Sequence, residues 1–308
     1  MTTGRRLGTT ALGTILSLAS SGCAQGPADR GSDGGATGIA EISYRKVKHQ
    51  RLISLEIRGR GPFTFLIDTG VSGAAIDLAL ALQLGIELPA EASAREPEVQ
   101  PIYQTWITGL AIGTLRLDSL QAAALPLAAF GERLGEPLHG VLGDGFMNGR
   151  VIRFDDASET IAFGSSPQAF EDDFRAADYV VPLVLSSSGG MPLLEVTLGD
   201  RSFMATLDMG SSLGLEVFTP YAEELGLGHA RAEWKRDSVL GGSLGRAEIL
   251  DGVVARIEIG PLSFQDVPTS ITPPRSERNR KGNLGNRLWT GYVLTLDYVG
   301  GRIAFRKP

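Results

Sequence analysis

One internal repeat constrains this chain more than anything else in it. FTFLIDTGVSG at 63–73 returns as FMATLDMGSSL at 203–213, so Phe63, Asp68 and Gly70 find counterparts in Phe203, Asp208 and Gly210. Each copy follows an alternating stretch, LISLEIRG or LLEVTLGD, whose period of two reads as half-buried β-structure. Each is followed by a short helical stretch ending in Leu-Gly, Leu84-Gly85 and Leu225-Gly226. Further on, GVLGDGFM at 140 returns as GNLGNRLW at 282, and VIRFDDASETIAF at 151 as VLTLDYVGGRIAF at 293. Four landmarks in one order, at nearly one spacing, make the body a tandem duplication.

The halves run over 41–165 and 179–308, joined by a polar linker at 166–178, SPQAFEDDFRAAD. Both consist mostly of short strands with Gly and Pro turns, and 40 glycines with few aromatics fit a β-rich body. Neither half is large enough to bury a generous core alone, so they are expected to pack together about a pseudo-twofold axis. The two acidic turns would then face each other. An apolar run such as Phe65-Leu66-Ile67 makes a charge at Asp68 costly unless it is hydrogen-bonded or shared, and Asp208 would arrive to share it.

Residues 1–22 stand apart from this body. Arg5 and Arg6 precede ALGTILSLAS, an apolar stretch too short to span a bilayer, which reads as a signal peptide. Cys23, the only cysteine, follows Ser-Ser-Gly in a pattern that resembles the lipobox of bacterial lipoproteins, although Ser20 stands where an aliphatic residue is usual. That resemblance implies lipidation of Cys23, membrane attachment through it, and, with Ala24 rather than Asp next, an outer-membrane address facing the periplasm or cell surface. An ordinary secretory signal, giving a periplasmic or secreted protein, is the alternative. Residues 23–40 then form a flexible tether. The formal charge of −6 and the lack of any basic cluster argue against a nucleic-acid partner. Without Cys23 the body has neither disulfide nor thiol nucleophile.

Asp68-Thr69-Gly70 after Phe-Leu-Ile, with Val141-Leu142-Gly143 downstream, resembles the signature of aspartic proteases. Each half is similar to the retropepsin-like domain of bacterial aspartyl protease family proteins. Asp-Thr-Gly alone says little; with the downstream Val-Leu-Gly, and duplicated, it is specific. The resemblance implies an all-β, two-lobed acid-protease fold and an aspartic endopeptidase acting on polypeptides as a monomer without a cofactor. It further implies Asp68 and Asp208 as the catalytic pair holding a water, with Thr69, Gly70, Gly210 and Ser211 supporting the active loops. Two carboxylates about 3 Å apart cannot both ionise, so such a pair shares one proton.

The second copy departs from that pattern. Met209 stands where a threonine would cross-bond to the opposite lobe, so Thr69 should lack its symmetric partner. Val71 and Ser211 also differ, which leaves a hydroxyl to support Asp208 but none for Asp68. Ser72 and Ser212 match, and are read as bracing their turns. This asymmetry fits either a tolerant enzyme or a lobe retained for binding peptides without cutting them.

Other chemistries are poorly served. GGSLG at 241–245 has the letters of a nucleophile elbow, but no histidine follows His229, and it reads instead as the tip of a second-lobe flap hairpin. His49, His139 and His229 lie at no metal-ligand spacing, and His139 reads as a surface turn residue. Asp144, Asp155 and Asp297 read as turn aspartates, with a place supporting the catalytic pair from behind as the alternative for Asp144. Tyr103 and Trp106 are candidates for a first-lobe flap near 100–112; core packing is the alternative for both, as it is for Trp234.

Overall fold

The computed structural model describes residues 38–88, 90–91, 102–186, 190–228, 230–241, 245–273 and 280–307. Cys23 with the leader, Ser243, and His229 lie outside them.

Two sheets share one topology. In the first, Gln50–Ile57 pairs with Arg60–Ile67, then come Gly140–Leu142, Ala74–Asp77, Leu115–Leu125 and Tyr103–Ile112. The last strand returns to the first through Glu56↔Ala111 and Ile57↔Leu110, which closes a six-stranded barrel. The second sheet repeats this order with Pro192–Leu198, Arg201–Asp208, Gly282–Gly285, Leu215–Phe218, Leu262–Thr272 and Gly245–Ile259, and closes at Thr197↔Glu258. The fold is mostly β and two-lobed, as the repeat requires; among the described residues the longest helix, Ala128–Leu134, has only 7 residues.

A third sheet belongs to neither lobe alone. Its order is Ile39–Ser43, Thr160–Gly164, Val151–Asp155, Val293–Asp297, Arg302–Arg306 and Tyr179–Pro182. The two central strands are repeat mates and run antiparallel with Arg153 opposite Thr295, so the pseudo-twofold axis passes through that pair. Both halves therefore give up their last strands to a shared platform. Ile39 and Ala40 already belong to it, so this strand includes the end of the stretch read as tether. The main core is continuous through both lobes, from Ile53, Phe65 and Ile107 to Val196, Phe203 and Leu215.

The stretch read as a polar linker is also structured. Pro167–Phe170 forms a 3₁₀ turn and Glu171–Arg175 a helical turn. Phe170 and Phe174, four residues apart and hence on one face, bury against Val151, Ala162 and Ala304.

Candidate active site

Each acidic loop leaves a core strand and turns before entering the next. Arg60–Ile67 runs parallel to Gly140–Leu142, while Ala74–Asp77 runs antiparallel on its other side, so the loop 68–73 is framed by Val141-Leu142-Gly143. The Asp68 N–H donates to Leu142 O at 3.0 Å. A side chain at Gly143 would collide with Val71 O and Gly73 O, and one at Gly285 with Leu213 O. These downstream glycines are therefore required by close backbone approach.

Within each loop the aspartate accepts from the glycine two residues on. Gly70 N–H donates to Asp68 Oδ1 at 2.8 Å, and Gly210 N–H to Asp208 Oδ1 at 3.0 Å. Both aspartates are completely buried. The loops then interleave: a Cβ on Gly70 would lie 2.5 Å from Asp208 Cγ, and one on Gly210 would overlap the Asp68 carboxylate. Asp68, Asp208, Gly70 and Gly210 thus meet at one point on the pseudo-twofold axis.

Thr69 spans the seam. Its hydroxyl donates to Leu207 O and accepts from Met209 N–H at 2.9 Å. Met209 offers no reciprocal hydroxyl and is buried in the main core, with Arg51 Nη1 at 3.6 Å from its sulfur. Ser211 is buried too, but its hydroxyl accepts from Leu213 N–H at 3.2 Å, so it braces its own turn. Val71 instead packs in a small apolar cluster behind the first loop.

Several residues at the seam escaped sequence reading. Gln50 Nε2 donates to Gly210 O at 2.6 Å, and Asn286 Nδ2 to Met209 O at 2.6 Å. Arg51 donates to Asn286 Oδ1 and, at 2.8 Å, to Asp156 Oδ1. Burial alone would raise the Asp156 carboxyl; the hydrogen bond from Lys46, the Arg51 charge, and donors from Gly291 N–H and Tyr44 outweigh it and hold the group at about 2. Burial pushes the Tyr44 hydroxyl up. A polar Gln-Arg pair directly ahead of the alternating LISLEI run was the available signal.

Two sequence readings change. Asp144 is more than a turn residue: it accepts from Gly73 N–H in its own lobe and from Gly190 N–H of the other at 2.6 Å. His139 is half-buried, its Nδ1 accepting from Thr64 N–H at 3.0 Å, and burial lowers its basicity. Asp155 and Asp297 do cap hairpin turns, accepting from the amides two and three residues on.

The two stretches read as flaps are partly described. Lys235–Gly241 and Gly245–Ile259 pair antiparallel as far as Gly241↔Gly245, and residues 242–244 of the GGSLG stretch lie outside the described residues. In the first lobe Ala90 pairs with Gln104 and Glu91 with Tyr103, so 103–112 is a strand, and residues 92–101 lie outside the described residues. Tyr103 packs against the core, Trp106 is 37% exposed opposite Gln121, and Trp234 covers Gly252. Among the described residues, no three His, Cys, Asp or Glu side chains converge as a metal site.

Residues 53–146, which carry both Asp68-Thr69-Gly70 and Val141-Leu142-Gly143, match the family profile described as aspartyl protease. The first lobe is an aspartyl protease family domain. The profile stops at Phe146; the second lobe repeats the strand order of the first. Among solved structures, the chain is similar to basic 7S globulin from soybean, at 10% identity and a TM-score of 0.47, over 87% of this chain and 94% of that one. No curated protein matches.

Proposed function

We propose that this aspartyl protease family protein is an aspartic-type endopeptidase that hydrolyses peptide bonds through a water held between Asp68 and Asp208. The observation that carries the reading is the interleaving of the two loops, each aspartate lying against the other lobe's glycine. In the proposed step the pair shares one proton. The ionised aspartate takes a proton from water as its oxygen attacks the peptide carbonyl, and the protonated one donates to the carbonyl oxygen. The C–N bond then breaks as the aspartate that took the water proton gives it to the leaving nitrogen. A hydroxyl of the tetrahedral diol returns its proton to the other aspartate as the carboxyl product forms, and the pair again holds one proton. Acid to mildly acid pH, where one proton is retained, favours the reaction.

The test is incubation of residues 24–308 with a diverse peptide mixture from pH 3 to 7, read by mass spectrometry beside Asp68→Asn and Asp208→Asn. Cleavage lost in both variants supports the shared pair; no cleavage by the native chain at any pH removes the reading. Met209, which supplies no hydroxyl across the seam, favours a second reading in which the cleft binds peptides without cutting them. Peptide retention by a protein that cuts nothing would mark that case.

We also propose that the chain is exported, anchored through lipidated Cys23, and monomeric, since one chain supplies both lobes. A diacylglyceryl mass on the mature N-terminus, absent in Cys23→Ala, is the expected result.

A further inference from the structure

We propose that Gln50 and Arg51 of the first lobe are positioning residues for Asp208, replacing the cross-lobe hold that a second loop threonine would supply; the inference rests on reading the aspartate pair as catalytic. Three successive carbonyls of the second loop each receive a donor. Met209 O accepts from Asn286 Nδ2, Gly210 O from Gln50 Nε2, and Ser211 O from Asn286 N–H at 2.9 Å. Because a carbonyl can only accept, the Gln50 amide must turn its nitrogen to the loop. Arg51 fixes the Asn286 amide in the same sense by donating to its oxygen.

Arg51 is held in turn. Its second nitrogen meets Asp156, and its guanidinium lies 5.6 Å from the Tyr44 ring centre and 5.5 Å from that of Phe154. Asp156 is tied to Lys46 Nζ at 2.8 Å and to Gly291 N–H at 3.1 Å. Gln50 and Arg51 are 0% and 2% exposed. Burying an amide and a cation is unfavourable unless their hydrogen bonds are met. Gln50 Nε2 is met by Gly210 O on the loop carrying Asp208, and the two terminal Arg51 nitrogens by Asn286 and Asp156. Gln50 Oε1 and Arg51 Nε are buried without a partner among the described residues.

The repeat supplies the internal comparison. With Leu52 matching Leu193 in strand register, the residue matching Gln50 is Met191, and the residue matching Asn286 is Asp144, whose side chain accepts from Gly73 and Gly190 N–H rather than donating. In the first loop, Val71 O accepts from Asp144 N–H at 2.9 Å, as the symmetry demands. The Gln50 and Asn286 side-chain donors are thus specific to the loop whose threonine is replaced by Met209. They act through the peptide bonds on either side of Gly210, whose N–H holds Asp208 Oδ1.

The test is a cycle of Gln50→Met and Asn286→Asp, each alone and combined with Met209→Thr. Both variants keep side-chain size while removing the donor, and Arg51→Lys joins the set if it folds. Positioning predicts that Gln50→Met and Asn286→Asp lower kcat about 10-fold or more, with KM changed by less than about 3-fold. Adding Met209→Thr restores several-fold in those backgrounds, a larger gain than in the native chain. Equal gains in all backgrounds, or an unchanged kcat in Gln50→Met, overturn it. Amide hydrogen exchange over 203–216 reads the same geometry without catalysis. Faster exchange in Gln50→Met, slowed again by Met209→Thr, supports the hold even if the native chain cuts nothing, whereas unchanged exchange refutes it.

Discussion

The carboxyl carbon of Asp208 lies where a side chain on Gly70 would begin: a Cβ there would be 2.5 Å away, and one on Gly210 would overlap the Asp68 carboxylate. Neither glycine is required here by a positive φ. Both are required because each packs face-on against the other lobe's acid.

Gly70→Ala and Gly210→Ala should therefore separate the loops instead of straining one turn. Overpacking of this kind costs about 1–3 kcal/mol, and misplacing a reacting group by about 1 Å can cost on the order of 100-fold in rate. Urea unfolding and peptide cleavage measured together check this. Full activity in either variant would show that the loops do not interleave in solution.

Thr69 makes two seam contacts, so its variants should separate hydroxyl from methyl. Thr69→Val keeps the shape but strands Leu207 O and Met209 N–H, and should lower stability by about 2 kcal/mol. Thr69→Ser should retain most of it. Denaturant midpoints at constant slope provide the comparison, and similar losses in the two would point to packing instead.

Much of this was legible in the sequence, because a duplicated chain announces its own symmetry. Asp68, Asp208 and the Gly143/Gly285 pair were found by matching one copy to the other. The same method is blind where the copies differ. Gln50 and Arg51 answer to Met191 and Pro192, so no repeat flags them, and Asp144 looked like any aspartate in a Gly-Asp-Gly turn. Phe170 and Phe174 were visible as letters, but their partners Val151 and Ala304 come from distant parts of the chain. The shared sheet was hidden for a related reason: strand periodicity reports a buried face and does not name the neighbour, here the other half's own copy.

Acid should leave the Arg51–Asp156 contact intact down to low pH. Asp156 is depressed from 3.8 to about 2. A depressed carboxyl stabilises the fold above its unfolded value and loses that contribution as pH falls through the folded one. The contribution is thus complete above about pH 4–5 and disappears toward pH 2. Thermal midpoints of the native chain and Asp156→Asn should differ most at pH 5 and converge near pH 2. A constant gap across that range would contradict the pairing.

The two lobes also solve one packing problem differently. Behind the first loop lie Leu66, Ala75, Leu138 and Val141, an apolar cluster beside the helix Ala128–Leu134. The matching positions behind the second loop are Thr206, Glu216, Arg280 and Asn283, all buried. Arg280 donates to Thr206 at 2.8 Å and Asn283 at 3.2 Å, while Glu216 accepts from Asn283 at 2.5 Å and from Thr272 at 2.8 Å. Removing one member of a buried charged network leaves its partners unsatisfied, at about 3–5 kcal/mol. Glu216→Ala, which installs the first lobe's own residue, should therefore be strongly destabilising, although Ala75 is harmless in its place. Ala75→Glu should be damaging in the opposite sense, by forcing a carboxylate among leucines. Chemical denaturation of the pair decides the point: if Glu216→Ala costs less than about 1 kcal/mol, the network is incidental to the stability of the strand that carries Asp208.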